Sequence, residues 1–223
     1  MTRRDPARAA ERGGAVCAVA GAVLLFVGTY LHPMGADPND ALAAFTEYAG
    51  DRLWIASHLT QLAGVALMVA ALVVVGRRLE DAGSTSARIA VAAAVTSLAI
   101  AAALQAVDGI ALRKMVTAWA GAPAAEKESL FHAAFAVRQV EVGLASIGSL
   151  FMGVTVVLYG VALLGGDAYP RWLGALAIAG GVPTAVAGVI MAYTGFSALA
   201  MDINMPASSL VLVWIVMLAV AMW

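Results

Sequence analysis

The chain is poor in the residues that build most soluble enzymes. Only 12% of its 223 residues are charged, against about a quarter in an ordinary soluble domain. There is one cysteine, Cys17, inside an apolar run. A single thiol rules out a disulfide framework, a Cys-x-x-Cys metal site and a Cys-x-x-Cys-His haem attachment. In such a run it serves as a small packing residue. A net charge of −1 leaves no basic field for nucleic acid. His-Glu-x-x-His is absent, and no two histidines stand at helical i, i+4 spacing.

What the chain does have is apolar length. Hydrophobic residues make up 62% of it, and the mean hydropathy is +0.90. One soluble core cannot hide that much, so lipid is the solvent for most of the surface. The fold class that follows is all-α: a polytopic membrane protein with six transmembrane helices in one bundle. After a basic tail at 1–14, the spans fall at about 15–31, 53–75, 88–110, 131–164, 171–193 and 207–223. The first reads as an uncleaved helix: it is long for a signal peptide, and further spans follow. Asp40 is placed to cap a short amphipathic helix carrying Leu42, Phe45 and Tyr48, lying at the membrane surface. Trp54 and Trp223 read as interface anchors. Pro170 suits a first helical turn. Gly180, Gly181 and Pro183 predict a kink in the fifth span. The stretch from Gly195 to Pro206 reads as a loop. Small residues at Ala145, Ser149 and Gly153, and at Ala177, Gly181 and Ala185, predict close helix packing.

Basic residues set the expected orientation. With the N-terminus inside, the inner segments carry Arg3, Arg4, Arg8, Arg12, Arg77, Arg78, Arg88 and Arg171. The outer ones carry Arg52, Arg113, Lys114 and Lys127. The positive-inside rule then places both termini in the cytoplasm, with the chain in the cell's cytoplasmic membrane.

Depth can be counted along each span. About 20 residues outward from Gly14, Gly76, Arg88 and Gly165 brings His32, His58, Asp108, Arg138 and Glu141 to one level. Gln61 lies one turn below His58, and Gln105 one turn below Asp108. Arg138 and Glu141, three apart, can pair. Counted alone, Asp108, Glu141 and Arg138 leave one negative charge unbalanced, and deep charges usually face a partner.

The first functional reading is binding or transport of a small molecule or a cation at an outward-facing polar pocket. Its lining is His58, Gln61, Asp108, His132, Arg138 and Glu141. A second reading is a metal-dependent membrane enzyme. Its divalent metal is held by His32, His58, His132 and Glu141, since imidazole and carboxylate together suit zinc, copper or iron. Haem clamped by His58 and His132 is a weaker form of that reading. A third is an accessory or scaffold subunit, in which these groups only fix helix packing. The bilayer is the one assured partner, and the oligomeric state is not legible.

From Leu158 to Ser197 the sequence carries Pro170, Arg171, Leu173 and Gly174 leading into an Ala-Gly-rich helix through Ala179 and Gly180. This resembles the late segment of bacterial six-helix membrane proteins grouped as a domain of unknown function. The resemblance implies a six-helix fold and no established activity. His32, His58 and His132 lie outside it.

Overall fold

Six helices long and apolar enough to cross a membrane make up most of the computed structural model, which describes residues 6–223. Arg3 and Arg4, which contribute to the expected orientation, lie outside the described residues. The elements are α1 (Pro6–Leu31), α2 (Ala41–Gly50), α3 (Trp54–Asp81), α4 (Thr85–Gln105), a π-helical segment (Ala106–Leu112), α5 (Arg113–Ala120), α6 (Ala124–Leu164), α7 (Trp172–Thr194) and α8 (Ala198–Met222). No strand occurs among the described residues.

The helices outrun the apolar stretches at several ends, because backbone hydrogen bonding continues where helix-forming polar residues follow. α1 takes in the Ala-rich segment from Pro6 that reads as a tail. The third span continues through the π-helical segment into α5, giving one helical path over Thr85–Ala120. α8 begins at Ala198, inside the stretch that reads as a loop. Ser197 caps it, its side chain accepting from Ala200 N at 3.3 Å. Pro206 sits within that helix, and Pro183 within an uninterrupted α7.

The tightest helix pairs are antiparallel and built on small residues seven apart. On α6, Ser146, Gly153 and Gly160 face Gly188, Gly181 and Gly174 of α7. On α1, Gly21 and Gly28 face Gly64 and Ser57 of α3. Two helical turns separate successive rungs, so each rung returns to the same face. A methyl group added at Gly188 would lie 2.7 Å from Ser146 O. Backbones this close leave no room for side chains, which is how helices associate in a solvent as apolar as they are. Hydroxyls add to this: Ser146 Oγ donates to Gly188 O at 3.0 Å within the α6–α7 pair, and Tyr159 OH donates to Leu72 O at 2.8 Å, tying α6 to α3.

α2 forms as Asp40 directs. Its carboxylate accepts from Leu42 N and Ala43 N, both at 3.1 Å. The helix packs on the protein through buried Phe45 and Tyr48, while Leu42 faces outward. Phe45 and Tyr48 join Trp54, Leu112, Val116 and Trp119 in a second core that closes one end of the bundle.

Candidate functional site

At the α2 end the bundle encloses a cavity of about 360 Å³. Its walls include His32, Gln61, Gln105, Asp108, Arg138 and Glu141. The polar residues counted to one level along separate helices therefore do converge. Depth follows from the fixed rise of 1.5 Å per residue, and these residues also share an inward direction.

The π-helical segment sets one corner. One residue more per turn swells the helix and re-aims its side chains, a feature common at functional sites. Here it carries Asp108 and Gly109. Gly109 lies flat against His58, where an added Cβ would come within 2.7 Å of His58 Cβ. That approach lets Asp108 Oδ2 reach His58 Nε2 at 3.0 Å. Trp54 Nε1 donates to the Asp108 carbonyl at 3.1 Å. Trp54 is thus a buried support for the corner rather than an interface anchor, because its indole N–H finds a partner inside the bundle.

Both histidines of this corner have their orientation set by backbone. His58 Nδ1 donates to Trp54 O at 2.6 Å, and His32 Nδ1 donates to Pro33 O at 2.8 Å. A carbonyl only accepts, so each Nδ1 carries a proton and each Nε2 points elsewhere. The Trp54 ring packs at a tilt against both, with centroids 4.5 Å from His58 and 4.9 Å from His32. Burial pushes His32 below the usual imidazole range, and its neighbour His58 acts in the same direction. One ligand atom from each of His32, His58 and Asp108 lies within 4.8 Å of the others.

The opposite wall is an ion pair. Arg138 Nη1 lies 2.7 and 2.6 Å from the two Glu141 oxygens, and both residues are buried. Arg138 Nη2 donates to Pro38 O at 3.1 Å, and the guanidinium lies over the Phe196 and Tyr48 rings. Burial raises Tyr48 to about 12, against the pull of Arg138, so it stays a neutral phenol. Between the walls, Gln105 Nε2 donates to Gln61 Oε1 at 3.2 Å. Two buried oxygens are left without a donor, Gln105 Oε1 and Asp108 Oδ1.

The roof is the connection from α1 to α2. Glu47 accepts from Gly35 N at 2.9 Å and Ala36 N at 3.0 Å, folding that connection over the cavity. The Arg113 guanidinium donates to Tyr48 O, and Asn39 Nδ2 donates to Phe196 O at 2.9 Å.

His132 does not join the site. Its side chain is 70% exposed, and its ring sits beside Glu128 and Phe131. It lies nine residues before Glu141, which at about 100° per residue is the opposite face of α6. A metal set containing His132, and a haem clamped between His58 and His132, both lose a ligand. Glu141 lies across the cavity wall in its pair with Arg138, outside the histidine cluster, and Asp108 supplies that cluster's carboxylate. Sequence reasoning also missed Tyr48 and Phe196 as walls of the site. The Asp108-Gly109 dipeptide within an apolar helix is the one sequence signal of the π-helical corner.

The chain belongs to the family described as Domain of unknown function (DUF4386), which matches residues 14–221. The resemblance seen at Pro170 to Gly180 thus extends over nearly the whole chain, an integral membrane protein that crosses the bilayer several times. No curated protein and no solved structure matches it.

Proposed function

We propose that this family member binds a small cation in the cavity beneath α2. The observation that carries the reading is the unequal charge of its walls. Asp108, Glu141 and Glu47 face one cation, Arg138, and two buried oxygens lack a donor. An acceptor held out of water without a donor costs roughly 1–3 kcal/mol. A cation entering there supplies what both oxygens need. The volume suits a small solute and falls at the lower end of ordinary ligand sites.

The same reading includes an orientation. The basic residues favour both termini in the cytoplasm, which turns the α2 end and its cavity outward. A small external cation then reaches the cavity past the α1–α2 connection.

The test is thermal unfolding of the purified, detergent-solubilised chain, titrated with methylammonium, choline, alkali and divalent cations. At least one class is expected to raise Tm by several degrees, as mass action requires of a ligand that binds only the folded state. Asp108→Asn is expected to lose that shift. A wild-type Tm indifferent to every cation would end the proposal.

A further inference from the structure

We infer that His32, His58 and Asp108 form a binding site for a divalent first-row transition-metal ion, which makes the cation of the cavity a metal. This deepens the cation reading and rests on it. The three residues arrive from separate elements: the end of α1, the first turns of α3 and the π-helical segment. Nothing in their local sequence pattern marks them as a ligand set.

The argument turns on where the protons are. With Nδ1–H of His58 given to Trp54 O, a neutral His58 presents a bare lone pair at Nε2. That lone pair faces the lone pairs of Asp108 Oδ2 at 3.0 Å. Something electropositive must stand between them, either a proton or a metal ion. A proton serves that one contact. It leaves His32 Nε2 with no hydrogen-bond partner among the described residues, and Asp108 Oδ1 without a donor. A divalent ion draws on both imidazoles and the carboxylate together.

The surroundings are those of a metal site. Ligating histidines usually give their other ring N–H to a carbonyl or carboxylate, which fixes the tautomer and aims the ring. Both histidines here do so, to Trp54 O and Pro33 O. Trp54 packs against both rings and holds the Asp108 backbone as well. The ligand atoms lie within 4.8 Å of one another, and the His58–Asp108 separation already suits two ligands of one ion. Bond lengths of about 2.0–2.2 Å require His32 to close in by about 1 Å, a movement open to a half-buried side chain beyond the end of α1. Two imidazoles with one carboxylate favour zinc, cobalt, iron or copper over magnesium or calcium. Three protein ligands leave a further coordination position, and His32 and Asp108 both line the cavity.

The test uses the full chain, purified without a histidine tag, stripped with chelator and titrated with Co(II). One equivalent is expected to bind with visible ligand-field bands, and Zn(II) to displace it. His32→Gln, His58→Gln and Asp108→Asn are each expected to weaken binding at least about tenfold. Glu141→Gln is expected to keep the affinity within about threefold, because Glu141 is not a ligand. A second readout needs no variant. The wild-type chain loaded with Cu(II) is expected to show coupling to two imidazole nitrogens in its electron paramagnetic resonance spectrum. Failure to bind Co(II) and Zn(II), or a Cu(II) spectrum without nitrogen coupling, would overturn the metal site. Stabilisation by ammonium or alkali cations alone would overturn it too, while leaving the cation reading intact. Indifference to all cations removes both.

Discussion

Arg138 and Glu141 show how costly one residue becomes when its environment excludes water. Each is buried, and each has the other as its principal charge partner. Arg138→Met leaves the Glu141 carboxylate unpaired, and the expected loss is about 3–5 kcal/mol. The double variant Arg138→Met, Glu141→Leu removes both charges and is expected to regain more than half of that. Unfolding of the three proteins in mild detergent checks this; a double variant no better than the single one would mean that Arg138 matters mainly through Pro38, Tyr48 and Phe196. At this scale the sequence was informative about height and silent about direction. His58, Asp108, Gln61 and Gln105 could be placed because rise per residue is constant. His132 was misassigned because it shares the polar run but not the face of Glu141. Tyr48 and Trp54 read as surface aromatics, since only packing reveals that α2 turns Tyr48 inward onto the Trp54 ring.

At the scale of elements, the apolar runs made the six long helices plain, while their ends were not. Helix ends depend on caps and on polar residues that tolerate helix, such as Ser197 before α8. The π-helical segment was out of reach for a different reason. Apart from Asp108-Gly109 its composition suits an ordinary helix, and its swelling brings Gly109 against His58 from a distant part of the chain. The small-residue pattern was legible in part: Gly153 and Gly181 were identified, but the seven-residue period and its antiparallel match emerged only from the paired helices. Gly181→Leu forces a branched side chain against Gly153 O and Val157, and is expected to cost about 1–3 kcal/mol. Val182→Leu, on the half-exposed neighbouring position, is expected to change stability by less than about 0.5 kcal/mol. Equal effects of the two substitutions on Tm would contradict the close approach of α6 and α7.

For the whole molecule, the two ends differ in kind. The end opposite α2 carries Arg78 Nε and Tyr169 OH on Glu11, both at 3.3 Å, and its pocket between α1 and α8 is lined by apolar residues such as Ala15, Val19 and Val220. Orientation can be read by labelling exposed positions at either end in a Cys17→Ala background. Glu128→Cys, on the α2 side, is expected to react with an impermeant maleimide in intact cells. Asp167→Cys is expected to react only after the membrane is opened. The reverse pattern would invert the chain in its membrane without altering the bundle.

The glycine ladders have one more consequence. They hold α1 to α3 and α6 to α7 as two closely packed units, with α4 and its swollen continuation lodged between them. His32 and His58 travel with the first unit, Arg138 and Glu141 with the second, and Asp108 with the wedge. The cavity therefore straddles the seam, and a slight slide of one unit past the other resets the spacing of every charge that faces it.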